Sequence, residues 1–183
     1  RSGEHGIYFQ GDNSIISENV VSFNNRSGIK LASYTTDLHW HDDETPNPDY
    51  VGNNNIIANN ICNENCLQSG SENNAGIYLQ SPLKDILVLG NICDNQGHGI
   101  RSVIQNNGDV LEGIALKNNK CKGNTVMDCS IAGRRGISIS SNEFGVLQVT
   151  AESTTRLNLS PHINNNRVDT LQVARCDSAL ITN

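Results

Sequence analysis

Aromatic side chains are scarce in this chain: 4% of its 183 residues, with one Trp, three Phe and four Tyr. A core of any size must therefore be mainly aliphatic. Basic charge is not in excess either. Thirteen Lys and Arg stand against nineteen Asp and Glu, a formal net charge of −6, and no basic run occurs. This argues against nucleic acid or an anionic membrane surface as the main partner. It leaves room for an acidic polysaccharide, which single Arg and Lys residues can bind. No stretch approaches the roughly 18 consecutive apolar residues of a membrane-spanning helix, and no signal-peptide pattern is present. No segment carries a helical apolar stripe of about 11 residues or more. The six cysteines include no CxxC pair. Cys62 and Cys66 lie four apart without a matching second pair, so a zinc-finger spacing is absent.

What the sequence does hold is a repeat. "GIYFQGDNSIISENVVSFNN" at 6–25 resembles "GIYLQSPLKDILVLGNICDN" at 76–95. Gly-Ile pairs begin at Gly6, Gly28, Gly76 and Gly99, in steps of 22, 48 and 23 residues, the long step being one normal step plus an insertion. A second element carries an asparagine: Asn19, Asn60, Asn91, Asn119 and Asn142, with His162 in the same place. Two residues further on stand Val21, Cys62, Cys93, Cys121 and Phe144, then the polar Asn164. Two interleaved ladders at about 20–30 residues per step mark a repeat architecture.

The units read as strands. Apolar and polar residues alternate at Ile86–Val88, Ile114–Leu116, Ile137–Ile139 and Leu157–Leu159, the period of a half-buried strand. Asn, Gly, Ser and Asp, the turn formers, lie between them. The leucine-rich consensus is missing, and a propeller blade needs roughly twice the period. A β-solenoid remains. In stacked strands about 4.8 Å apart, Asn at equivalent corners tolerates left-handed backbone and bonds its amide to the rung above or below. The Asn column is thus expected to be structural. Gly before Ile is expected to permit a sharp corner. Ile7, Ile29, Ile77 and Ile100 should stack inward with Phe9, Leu31 and Leu79, leaving Tyr8, Lys30, Tyr78 and Arg101 outward in one row. Cys62, Cys93 and Cys121 fall in a core column, where Cys acts as a small hydrophobe, so six free thiols are expected.

On these repeats the chain resembles the right-handed parallel β-helix, or pectin-lyase-like, superfamily. That group includes pectin and pectate lyases, polygalacturonases, alginate epimerases, copper-maturation β-helix proteins and phage tailspikes. The resemblance spans about His5 to Thr182 and is specific for fold rather than function. It implies an all-β, single-stranded right-handed parallel β-helix of about seven rungs over residues 1–183, with a projecting loop at 33–54 and narrower, loop-poor terminal rungs at 145–183. The opening "RSGEHGI" stands mid-pattern, so a fragment of a longer chain, most like a piece of a phage tailspike, is the expectation.

Chemistry is expected in the irregular features. The insertion "SYTTDLHWHDDETPNPDYVGNN" holds Trp40, His39, His41, Asp37, Asp42, Asp43, Glu44, Asp49, Tyr34 and Tyr50. Aromatics there can stack on sugar rings, paired carboxylates can do acid/base work on a glycosidic bond, and His with Asp can hold a divalent ion. The plain alternative is a surface loop with Trp40 over a rung edge. In the lyases that the fold resembles, an Arg or Lys on the strand face removes a proton α to a uronate. Arg101 and Lys30 sit on that face, with Asp12 as an acid partner, or all three are simply solvated. "GHGI" at 97–100 resembles the polygalacturonase Gly-His-Gly piece, but its partner aspartates are missing and His5 fills the same slot. "SPHIN" at 160–164 lacks the Asp of the epimerase signature. The expected catalytic residues are Asp42, Asp43, Glu44 and Arg101. The expected substrate-binding residues are Trp40, His39, His41, Tyr8, Lys30 and Tyr78. No metal site and no cofactor are assigned, a Ca2+ ion being an unsupported option.

The resemblance implies recognition of host-surface polysaccharide, with or without depolymerisation, by a tailspike-like homotrimer on a virion tail or outside the cell. Nucleic acid and membrane are not expected partners. A secreted polysaccharide lyase, hydrolase or epimerase is the alternative, and a non-enzymatic β-helix scaffold the second. One Met and five His are few for a copper-maturation role.

Overall fold

The computed structural model describes residues 4–33, 51–67, 74–104, 111–133, 135–151, 160–176 and 178–182. Among them every regular element is a strand, and every ladder is parallel. Three strand positions recur in order on the windings as far as Cys121, beyond which two of them merge. One row of strands, here called the site face, comprises β1 (Ile7–Phe9), β4 (Ile29–Ala32), β8 (Ala75–Gln80), β11 (His98–Val103), β14 (Met127–Gly133), β16 (Glu143–Ala151) and β18 (Arg167–Ala174). A second row comprises β2 (Ile15–Ser17), β5 (Gly52–Asn53) with β6 (Ile56–Ala58), β9 (Leu83–Leu89), β12 (Leu111–Lys117), β15 (Ser138–Ser140), β17 (His162–Asn164) and β19 (Leu180–Thr182). The third is β3 (Val20–Ser22), β7 (Ile61–Asn63), β10 (Ile92–Asp94) and β13 (Lys120–Cys121), which merges with the first through β16. The result is an 11-stranded and an 8-stranded parallel sheet wrapped round one aliphatic core in the manner of a solenoid.

Register explains the core. Ile7, Ile29, Ile77, Ile100, Cys129, Leu147 and Leu171 are consecutive ladder partners. Ile57, Val88, Leu116, Ile139 and Ile163 form the matching column on the second row. Val21, Cys62 and Cys93 stack on the third, followed by Cys121 beside Phe144. The columns meet in one cluster in which most side chains are fully buried. Each such aliphatic side chain contributes roughly 1.5–3 kcal/mol. All six cysteines are free thiols.

The corners are built from two columns of amides. Asn19 Nδ2 donates to Asn60 Oδ1, and the same contact repeats along Asn60, Asn91, Asn119, Asn142 and Asn166 at 2.9–3.0 Å. The sixth member is therefore Asn166, not His162. His162 pairs with Ser138 on the second row, and Val168, not Asn164, follows Phe144. The ladder asparagines do not themselves take the left-handed backbone. The preceding residue does, at Glu18, Asn59, Gly90, Asn118, Ser141 and Asn165. Non-Gly residues pay a strain there, and hydrogen bonds from the next residue's amide hold the corner against it. A second column, Asn24, Asn65, Gln96 and Asn124, lines the corner into the site face and again follows left-handed residues, Phe23, Glu64, Asn95 and Gly123.

That second column ends at Asp128. Its Oδ1 accepts from Asn124 Nδ2 at 2.7 Å and its Oδ2 accepts the Val146 N–H at 2.9 Å. Gly145 passes directly over this carboxylate, where a Cβ would lie 2.5 Å from Oδ2. With the corner closed off, β16 runs straight for nine residues and pairs with β13 at one end and β14 at the other. β16 thereby joins the first row to the third. The Asn column keeps its step, 24 residues from Asn142 to Asn166.

Gly6, Gly28, Gly76 and Gly99 are not conformational outliers. They are glycine because the next rung is too close. A Cβ on Gly28 would lie 2.8 Å from the Gly76 carbonyl oxygen, and one on Gly76 would lie 2.9 Å from that of Gly99.

Candidate functional site

The outward row of the site face is a continuous register ladder: Tyr8, Lys30, Tyr78, Arg101, Ser130, Gln148 and Gln172. Seven strands at about 4.8 Å spacing carry it over about 29 Å. Tyr8, Lys30, Tyr78 and Arg101 thus stand together as their alternation predicts. Lys30 Nζ lies 5.4 Å from the ring centroid of Tyr8 and 5.4 Å from that of Tyr78, within the range of cation–π attraction. The row is not uniformly open: Tyr8 is 45% exposed and Tyr78 only 2%.

Residues just before β1 and β4 complete a cleft of about 350 Å³, lined by Glu4, His5, Tyr8, Arg26 and Lys30. His5 stacks on Tyr8, with centroids 5.9 Å apart and planes at 21°. Its Nδ1 accepts the Ser27 backbone N–H at 3.2 Å, which fixes the ring. Arg26 pairs with Glu4 at 2.9 Å. Sequence reading placed His5 in a corner slot without function. Its role beside Tyr8 follows from a strand neighbour three residues on, a signal local enough to have been found. A second, larger trough further along the same face includes Arg101, Ser130, Gln148, Thr150 and Arg175. Arg175 lies outside any repeat motif, and nothing in the sequence connects it to Arg101.

Both histidines at this edge are held neutral. Burial, then Lys30, lowers His5 from 6.5 to about 4, Glu4 opposing and Arg26 adding to the effect. Burial, then Arg101, lowers His98 from 6.5 to about 4. A depressed histidine pKa means that the unfolded chain takes up protons first as pH falls. Stability contributed by the neutral rings is present above pH 6.5 and is lost between 6.5 and 4. The melting temperature should therefore fall across that interval, and His5→Gln/His98→Gln should flatten the decline. An unchanged slope in the double variant would show that other groups govern it.

The other expected chemistry is either placed elsewhere or not placed. Trp40, His39, His41, Asp42, Asp43 and Glu44 lie outside the described residues, as do Tyr34, Asp37, Asp49 and Tyr50. Asp12 is a corner residue whose Oδ1 accepts the Asn53 N–H at 2.6 Å, so it is not a partner of Arg101 or Lys30. Among the described residues no group of three His, Cys, Asp or Glu is placed to hold a metal ion. Burial raises the Cys93, Cys121 and Cys129 thiols, and the Cys93 contact followed by burial raises Cys62. Cys66 is pushed up by burial to about 11. These thiols stay protonated at neutral pH and are poor nucleophiles.

No family model matches the chain, and neither the curated proteins nor the solved structures searched give a match.

Proposed function

We propose that this chain binds a polysaccharide along the site face, as the sugar-recognising part of a right-handed parallel β-helix of about seven rungs related to phage tailspikes. In this reading it meets host-surface glycan, as a homotrimer on a virion tail or outside the cell. The observation that carries it is the cleft in which Lys30 lies over the exposed ring of Tyr8 beside His5; Tyr78, expected as a substrate contact, is buried against Lys30 and supports that side chain instead of meeting a ligand. An exposed tyrosine ring offers an apolar face with a polar tip, Lys30 offers three donors, and parallel strands hold both without loop motion. Binding is favoured over cleavage because, among the described residues that line the two depressions, the one carboxylate is Glu4, already paired to Arg26. Depolymerisation would have to draw on Asp42, Asp43 and Glu44 beyond the described residues.

Retention of the protein on a panel of immobilised polysaccharides tests this. Tyr8→Ala should weaken binding about tenfold, the loss of one aromatic contact worth about 1.5 kcal/mol, with the melting temperature nearly unchanged because the ring is half exposed. Equal retention of Tyr8→Ala and the parent would remove the cleft from the binding surface. Release of oligosaccharides during the same incubation would instead favour the lyase or hydrolase reading.

A further inference from the structure

The trough at the far end of the site face is lined by Arg101, Ser130, Gln148, Thr150 and Arg175 among others and encloses about 460 Å³. Its floor is flat because the outward residues there are small: Ala132, Thr150 and Ala174 are consecutive ladder partners. Its rim is basic. Among the described residues the ion pairs are Arg26–Glu4, Lys122–Glu143, Arg135–Glu112 and Arg167–Glu143. Neither Arg101 nor Arg175 belongs to one, and none of the described residues that line the trough is Asp or Glu. In a chain of net charge −6, acids outnumber bases, so two guanidinium groups left without a carboxylate on one groove are unexpected from composition. Lys30, on the same outward row and two strands from Arg101, has aromatic partners but no ion pair either. Between the arginines, Ser130 Oγ donates to Gln148 Oε1 at 3.2 Å, and Gln148 Nε2 donates to Gln172 Oε1 at 3.2 Å. This amide–hydroxyl chain fixes Gln148 in the groove and gives it polar walls.

Guanidinium groups match planar or tetrahedral oxyanions through paired N–H donors, and unneutralised cations in a groove concentrate anions there. We propose that this trough is a subsite for the acidic group, carboxylate or sulfate, of a polysaccharide whose other residues occupy the Tyr8–Lys30 cleft, so that the ligand is an acidic polysaccharide. The proposal rests on the polysaccharide reading given above and adds its charge. The trough and the cleft share one face of about 29 Å, so a ligand reaching both must be an oligomer rather than a single sugar.

The test uses the whole chain and Arg101→Gln, Arg175→Gln and the double variant, each checked for an unchanged melting temperature. Arg175 is exposed, so its variant keeps the test alive if Arg101→Gln destabilises the fold. The probes are polygalacturonate, alginate, hyaluronan and heparan sulfate, their carboxyl-reduced or desulfated forms, and the neutral chains dextran and xylan. The expected result is retention of at least one acidic chain, about tenfold weaker for each arginine removed, weaker in high salt, and lost in the derivative without its acidic group. Loss on carboxyl reduction identifies a carboxylate ligand, and loss on desulfation a sulfate. Retention of only neutral chains, with equal affinity in the arginine variants, overturns the acidic subsite and leaves the polysaccharide reading intact. Retention of no polysaccharide overturns both.

Discussion

Asn91→Leu should destabilise the fold by about 4 kcal/mol, and Asn19→Ala by less than about 1 kcal/mol, although both remove one asparagine from the same column. The difference lies in how many neighbours each residue serves. Asn91 is fully buried. Its Oδ1 accepts both the backbone N–H and the Nδ2 of Asn60, at 2.9 and 3.0 Å. Its Nδ2 donates to Asn119 Oδ1, to the Ile57 carbonyl and to the Leu89 carbonyl. Leucine has similar volume and satisfies none of these. Two buried donors and the Ile57 carbonyl lose their partner, at roughly 1–3 kcal/mol for each group left unpaired. Asn19 ends the column. It donates to Asn60 Oδ1 and to the Ser17 carbonyl, and Asn60 Oδ1 keeps the Asn19 backbone N–H after truncation. Urea denaturation of the two variants, with the slope held constant, measures both costs. Equal losses would mean that the column is not cooperative and that the amides merely occupy corners.

Gly99→Ala should cost about 3 kcal/mol or more, while Gly97→Ala two residues earlier should be neutral or slightly stabilising. Neither glycine requires a left-handed backbone, so the contrast is purely one of space. A Cβ on Gly99 would collide with the Asp128 carbonyl oxygen and lie 2.7 Å from Cys121 Cβ and 3.0 Å from Asn124 Nδ2. The first is ladder backbone and the second a core column, and neither can withdraw. A Cβ on Gly97 would find its nearest atoms at 3.5, 3.6 and 3.9 Å, ordinary contact. There the loss of glycine entropy in the unfolded chain dominates, a gain of about 0.4–1 kcal/mol. Thermal unfolding of the pair decides the matter. If both alanines behaved alike, rung spacing at the entry to the site face would not be the reason for the Gly-Ile repeat. The result bears on the candidate site too, because Gly6 and Gly28 bring β1 and β4 together in the same way and so set the separation of Tyr8 and Lys30.

Local pattern determined a large part of this molecule. Alternation and the Gly-Ile period are sufficient to place Ile29, Ile77 and Ile100 inward and Tyr8, Lys30, Tyr78 and Arg101 on the opposite row, because a strand has a strict period of two and stacked rungs repeat it; that Tyr78 on this row is buried was not legible from alternation. The column Cys62, Cys93 and Cys121 was legible for the same reason. Tertiary structure decided what local pattern cannot carry. Membership of the asparagine column depends on register against the rung below, so Asn166 joins it and His162, with a more familiar flanking sequence, does not. Gly6, Gly28, Gly76 and Gly99 are fixed by the distance to the next carbonyl, and the left-handed corner falls one residue before the amide that stabilises it. Asp128 ends one corner column because Gly145, 17 residues further on, leaves room above its carboxylate. Arg101 and Arg175 line one trough although 74 residues separate them. Such neighbours arise only when the chain has wound back over itself, and no spacing in the sequence encodes them.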